Sequence, residues 1–127
     1  MSDIRIISTN NAAPALGHYS QATLHQGLVY VSGQLPIDPK DPDKTFATAA
    51  EQTTQTLNNV QAILEAAGSD KSRVLKAEIY INDLAIWPEV NKAYADFFGE
   101  TKAARAAVPV TGLPKGFMVE IAVVAAV

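Results

Sequence analysis

The chain has 127 residues, enough for one domain with a real core, and 48% of its residues are hydrophobic. Its net charge is −3 and its Lys and Arg residues are scattered, which argues against the basic footprint of most nucleic-acid-binding proteins. It contains no cysteine, which excludes disulfides, thiolate nucleophiles and cysteine-bound zinc.

The N-terminal residues and the apolar runs bear on the compartment. The first residues, Met-Ser-Asp-Ile-Arg, include an acid and no apolar stretch, unlike a secretory signal. The longest apolar run, near Ile121–Val127, is too short to span a bilayer. We therefore expect one cytoplasmic domain over residues 1–127, with no membrane contact.

The predicted elements begin with three strands, the last two joined by a short turn at Gln26-Gly27. These strands lie around Ile4 and Ile6, at Tyr19–His25 and at Leu28–Gly33. Three prolines then predict a loop over Leu35–Lys44.

The rest of the chain predicts two helices and three strands. Apolar residues at helical spacing, followed by Gly68, predict a helix over Phe46–Ala67. Pro88 suits the first turn of a second helix that ends before Gly99. The three strands are predicted at Val74–Ile81, Arg105–Val110 and Phe117–Val127.

This order of elements predicts an α+β fold, with a mixed sheet of about six strands and both helices on one face. In the last strand, apolar side chains point to both faces of the sheet, and two helices cannot cover both. An uncovered apolar face of this extent usually marks an interface. The pattern therefore predicts an obligate homo-oligomer.

Arg105 and Glu120 are the only charged side chains in the last two strands. An unpaired ion in a strand buried on both faces costs several kcal/mol, so the two residues either pair or face a wet cleft that a ligand completes. The alternatives without a function are that the two residues form a structural ion pair or are two exposed charges at a sheet edge. If the strands form a hairpin across Thr111–Gly116, the two side chains face each other, whereas a one-residue slip or an intervening strand separates them.

In a cleft, the fork of donors on Arg105 would clamp a carboxylate, and Glu120 would serve as acid or base. Burial would raise the pKa of Glu120, and Arg105 would lower it. His18 and His25 show no metal-ligand spacing, and no nucleotide fingerprint or serine elbow occurs. Neither a metal nor a cofactor is expected. Trp87 is interpreted as an anchor at the start of the second helix.

Several motifs together resemble the RidA (YjgF) family of reactive-intermediate deaminases. The most specific are Ala104-Arg105-Ala-Ala-Val108, Leu113-Pro-Lys-Gly116 and Val119-Glu120-Ile121. The similarity also covers Ala13–Gln21, Val31–Ile37, Leu57–Gly68 and Val90–Phe98. The order and spacing of these pieces carry the resemblance more than any one of them.

The resemblance implies a chorismate-mutase-like fold and a homotrimer with a central barrel. It implies clefts between subunits that hydrolyse small enamino and imino acids, such as 2-aminoacrylate and its imine tautomer, to 2-oxo acids and ammonia. Arg105 would bind the substrate carboxylate, Glu120 would activate water, and Tyr19 would close the cleft. The remaining site residues would be Ser32, Gly33 and Asn91, with the backbone of Ala107.

The chain departs from the family pattern at four positions. Ala107 replaces a frequent cysteine, Ala103 a proline, Ala122 a second acid and His18 the proline of Gly-Pro-Tyr. Because Arg105 and Glu120 are kept, deaminase activity remains the expectation, while these changes bear on substrate preference. A metabolite-binding trimer without turnover is the alternative, and an endoribonuclease or translation inhibitor, disfavoured by the acidic charge, is a third.

Overall fold

The computed structural model describes residues 3–127, which form a six-stranded sheet and two α-helices. The strand order is β1-β2-β3-β6-β4-β5, and every neighbouring pair is antiparallel except the parallel pair β4 and β5. The mixed α+β sheet predicted from the sequence is confirmed. The elements are β1 Arg5–Ile7, β2 Ala22–His25, β3 Leu28–Gln34, α1 Ala49–Ala66, β4 Val74–Ile81, α2 Trp87–Phe98, β5 Ala104–Pro109 and β6 Val119–Ala126.

Helix α1 begins where its first backbone groups find side-chain partners. The Thr48 hydroxyl accepts a hydrogen bond from the Glu51 N–H (3.1 Å), and the Glu89 carboxylate of α2 accepts one from the Ala50 N–H (2.7 Å). The helix therefore starts at Ala49 and not at the predicted Phe46. Its apolar face is fully buried against the sheet and includes Leu57, Val60, Ile63 and Leu64.

Strand β6 shows why only one face of the sheet is covered. Val119, Ile121, Val123 and Ala125 are buried on the helix side, and the residues between them are half-buried on the other side. The uncovered face also carries Tyr30, which is 45% exposed. Neither helix lies on this face, so its covering by further copies of the chain stays a prediction.

The last two strands do not form a hairpin, and the alternative with an intervening strand is the one that the structure has. Strand β4 lies between β5 and β6, paired with β5 in parallel and with β6 in antiparallel. Arg105 is aligned with Ala77, whereas Glu120 is aligned with Tyr80. The expectation that both strands are buried also fails for β5, because it is the edge strand and all six of its residues are exposed.

The backbone of β5 has one side open. The Val110 N–H donates to the Ile81 carbonyl (2.8 Å), so this residue points its backbone groups toward β4. By the alternation of a strand, the backbone groups of Arg105, Ala107 and Pro109 point to the open edge. Pro109 has no N–H, so its outward position costs no hydrogen bond in the sheet.

Strand β2 starts at Ala22, three residues later than predicted, because the Tyr19 N–H donates to the Gly17 carbonyl in a tight turn. Strand β3 carries a bulge between Val31 and Gln34. Among the described residues, no helix is long and apolar enough to cross a membrane.

Candidate functional site

Arg105 projects from the helix-facing side of β5 into an open groove of about 370 Å³. The groove lies between β5 and the C-terminal half of α2. Asn91, predicted from the resemblance to line the site, is in this groove with Arg105. Ala107 is two residues further along β5 and therefore shares the face of Arg105. The structure thus brings three of the predicted site residues to one place.

Two aromatic rings of α2 lie beneath the Arg105 guanidinium. Its central carbon is 5.0 Å from the ring centroid of Trp87 and 4.9 Å from that of Tyr94. Trp87 and Tyr94 are seven positions apart, so they occupy the same face of the helix. Burial raises the pKa of Tyr94, and the charge of Arg105 acts in the opposite direction.

The donors of Arg105 have no protein acceptor within residues 3–127. The ion pairs found there join His25 to Asp3 and Lys92 to Asp96, and no carboxylate or carbonyl accepts a hydrogen bond from Arg105. Its cation–π contacts take up none of its N–H groups in a hydrogen bond to the described chain. This geometry suits a bidentate contact with a carboxylate.

Glu120 lies on the uncovered face of the sheet, against the bulge in β3. A Cβ built on Gly33 would come within 2.9 Å of the Glu120 Cδ, so the carboxylate fills the space that a side chain would need. Within the described chain the carboxylate makes no ion pair. Burial raises the pKa of Glu120 above the ordinary value for glutamate.

Ser32 and Tyr19 lie on the Glu120 side of the molecule but already have partners. The Ser32 hydroxyl donates to the Ser20 carbonyl (2.6 Å), which ties β3 to the segment before β2. The Tyr19 hydroxyl accepts a hydrogen bond from the Leu16 N–H (3.1 Å), and its ring shares a small depression with Gly33. Tyr19 is 49% exposed, so its ring is open to solvent or to another chain.

The predicted site residues therefore form two separate groups in one chain. The Arg105 group comprises Arg105, Asn91 and Ala107, and the Glu120 group comprises Glu120, Gly33, Ser32 and Tyr19. Arg105 and Glu120 lie on opposite faces of the sheet. Strand β4 separates their strands, and their positions along the strands differ by three residues. Standard strand dimensions therefore place their Cα atoms roughly 14 Å apart. No single small molecule bridges them within one chain.

The sequence analysis did not predict the contact between Trp87 and Arg105. Trp87 was interpreted as a helix-start anchor, which its position at the first residue of α2 confirms, but it also lies under Arg105. The available signal was that Trp87 and Tyr94 are seven positions apart on the helix that precedes the Arg105 strand. Without the parallel pairing of β4 and β5, that spacing could not be connected to Arg105.

Two helices over one face of a mixed sheet, with an arginine on the edge strand that faces an open groove, define a small α+β protein. The family model described as Endoribonuclease L-PSP matches residues 9–127. The chain therefore belongs to this family, which is also that of the RidA (YjgF) proteins, as its motifs indicate.

Individual relatives agree over nearly their whole length. A RutC family protein of Sinorhizobium fredii is 47% identical over 93% of this chain and 94% of its own. The 2-iminobutanoate/2-iminopropanoate deaminase of Bos taurus is 42% identical over 95% of this chain and 88% of its own. The solved structure of YyfA from Yersinia pestis, of the conserved Rid family, has a TM-score of 0.94 and 42% identity, covering 98% of this chain and 99% of its own.

Proposed function

We propose that this protein hydrolyses small enamino and imino acids to 2-oxo acids and ammonia, in the cytoplasm. Similarity to a protein named as a 2-iminobutanoate/2-iminopropanoate deaminase, at 42% identity, supports this class of reaction. The observation that carries the proposal is Arg105, a guanidinium in an open groove whose donors have no protein acceptor in the described chain. A 2-imino acid supplies the planar carboxylate that such donors fit.

The proposed site needs a second copy of the chain. Arg105 and Glu120 point away from each other in one subunit, so a substrate held by Arg105 meets the Glu120 group of a neighbour. The open edge of β5 and the uncovered apolar face of the sheet give that neighbour a surface to bind. We propose a homotrimer with a central barrel, in which each cleft combines the Arg105 group of one subunit with the Glu120 group of the next.

In the proposed reaction, Arg105 fixes the substrate carboxylate beside the Asn91 amide. Water adds to the C2 carbon of the imine, and Glu120 accepts the proton that this water loses. The same carboxyl returns that proton to the nitrogen. As the C–N bond breaks, the C2 hydroxyl passes its proton to the departing nitrogen, which leaves a 2-oxo acid and ammonia. An enamine enters after protonation at C3. Because the imine carbon is already electrophilic, binding the substrate and orienting the water are enough for hydrolysis.

The outward backbone groups of Ala107 and the position of Tyr19 complete the proposed cleft. Ala107 presents an N–H and a carbonyl at the open edge, where they can orient substrate or water. Tyr19 of the neighbouring subunit closes the cleft from the side of Gly33. Ser32 acts indirectly, since its hydroxyl holds the strand beside Gly33 in place.

The test is turnover of imines made in place by an amino-acid oxidase or dehydratase. We expect the protein to accelerate release of ammonia and 2-oxo acid over a buffer control, and Arg105→Ala to abolish the acceleration. Arg5→Ala is the matched control, because Arg5 is an exposed arginine on β1, outside the groove. No acceleration across imines from several amino acids would contradict the proposal.

A binding module would give a different result in the same experiment. Saturable binding of a 2-oxo acid in calorimetry without turnover would favour a metabolite-binding trimer. RNA cleavage that persists in Arg105→Ala after repeated purification would favour the ribonuclease alternative.

A further inference from the structure

Trp87 is the only tryptophan of the chain, and it lies under the side chain on which the proposed function depends. It does not line the groove beside Arg105, whereas Tyr94 does. Trp87 therefore reaches a ligand in that groove through Arg105, which it contacts, and not by lining the groove. We infer that Trp87 is a positioning residue that holds the Arg105 guanidinium in the orientation in which it binds a carboxylate.

The need for such a residue follows from the location of Arg105. It lies on an edge strand whose six residues are all exposed, and no hydrogen bond within the described chain fixes its long side chain. An exposed arginine samples many rotamers, and ordering it on ligand binding costs affinity. A ring already in contact with the guanidinium removes part of that cost.

The geometry of the contact leaves the binding function intact. The guanidinium carbon is 5.0 Å from the Trp87 centroid, within the range of a cation–π interaction, which is strongest for tryptophan. This contact takes up none of the guanidinium donors in a hydrogen bond. Those N–H groups stay available for both oxygens of one carboxylate.

Trp87 is itself held in place. Asp83 accepts a hydrogen bond from the Ala85 N–H (2.9 Å) and so caps the short 3₁₀ turn that leads into α2. Trp87 is the first residue of α2, is followed by Pro88, and packs half-buried against the core. The backbone that carries the ring is therefore fixed at the start of α2, and packing against the core restricts the ring itself.

This inference rests on the proposed binding of a carboxylate by Arg105, and its test separates the two. Calorimetry with 2-oxobutanoate as the probe measures the dissociation constant in the wild type, Trp87→Leu, Trp87→Phe and Phe97→Leu. We expect Trp87→Leu to weaken binding about 3- to 10-fold and Trp87→Phe, which keeps an aromatic face, to restore most of the loss. In turnover, Trp87→Leu should raise KM by a similar factor with kcat nearly unchanged.

Phe97→Leu is the matched control, because it removes another α2 aromatic that lies over a cation, Lys71, away from the groove. We expect it to leave the dissociation constant unchanged. Equal binding by Trp87→Leu and the wild type would overturn the inference while leaving the proposed function in place. A wild type that binds no 2-oxo acid and turns over no imine would instead overturn the proposed function, and the inference with it.

The native fluorescence provides a readout that needs no variant of Trp87. Because the signal comes from one side chain, saturating 2-oxobutanoate should change the intensity or emission maximum in the wild type and not in Arg105→Ala. Binding seen by calorimetry with no change in fluorescence would show that Trp87 does not sense the bound anion, and would overturn the inference even if Trp87→Leu fails to fold.

Discussion

The carboxylate of Glu120 occupies the position that a side chain on residue 33 would fill. A Cβ at Gly33 would lie within 2.9 Å of the Glu120 Cδ, so any larger residue must displace the carboxylate. The bulge in β3 brings the Gly33 backbone to this point. Glycine at this position leaves room for the carboxylate, and its value here comes from close approach and not from an unusual φ angle.

The first prediction concerns this contact. Gly33→Ala should lower kcat/KM for imine hydrolysis about tenfold or more, because the displaced carboxylate no longer meets the water it is proposed to activate. Steady-state kinetics and a thermal melt on the same samples measure the effect. Gly112→Ala is the control, since a Cβ there meets nothing within 4 Å. Equal activity of Gly33→Ala and the wild type would argue against a role for Glu120.

The second prediction tests whether a site combines two subunits. Arg105→Ala and Glu120→Gln should each be inactive, yet a mixture refolded together should recover activity, because some sites receive a wild-type Arg105 from one chain and a wild-type Glu120 from another. Random mixing of equal amounts should restore about a quarter of the sites. If the mixture stays as inactive as its components, the two residues do not meet across an interface.

The third prediction uses the pKa of Glu120. In one chain, burial alone raises this pKa, and an Arg105 brought near by a neighbouring subunit would lower it again by favouring the charged form. Arg105→Ala should therefore shift the titration of Glu120 to higher pH. Carbon-13 NMR of glutamate-labelled protein measures this, with Glu120→Gln assigning the signal. An unchanged titration would mean that the two groups remain distant in the assembly.

The fourth prediction concerns the helix that carries Trp87, Asn91 and Tyr94. The Glu89 carboxylate accepts a hydrogen bond from the Ala50 N–H, so it caps α1 from α2. Glu89→Ala should lower the free energy of unfolding by about 1 kcal/mol, as loss of a helix cap commonly does. Urea denaturation measures it, with exposed Glu100→Ala expected to change little. Equal stability of the two variants would show that this bond contributes nothing.

Local patterns predicted most of the fold. The alternation over Val74–Ile81 predicted β4 with its observed bounds, and Pro88 with Gly99 predicted α2 closely, because both signals lie within the element they describe. The start of α1 was less accurate: apolar periodicity extended it to Phe46, whereas the Thr48 cap begins the helix at Ala49. A cap depends on side-chain hydrogen bonds that hydrophobic periodicity does not report.

The arrangement of strands required information that neighbouring residues do not contain. Two apolar strands joined by Thr111–Gly116 favour a hairpin, yet β4 lies between them in the sheet. This one difference separates Arg105 from Glu120 and puts them on opposite faces. The charge pattern singled out Arg105 and Glu120, and motif resemblance supplied the other candidate residues. Their division into two groups follows only from the sheet.

Pro109 has a consequence for how the chain avoids aggregation. A free edge strand invites unrelated chains to extend the sheet without limit, which is a common route to fibrils. The ring of Pro109 removes one donor from that edge, and the charge of Arg105 adds repulsion between like copies. This strand, although its edge is open, is therefore a poor template for indefinite stacking.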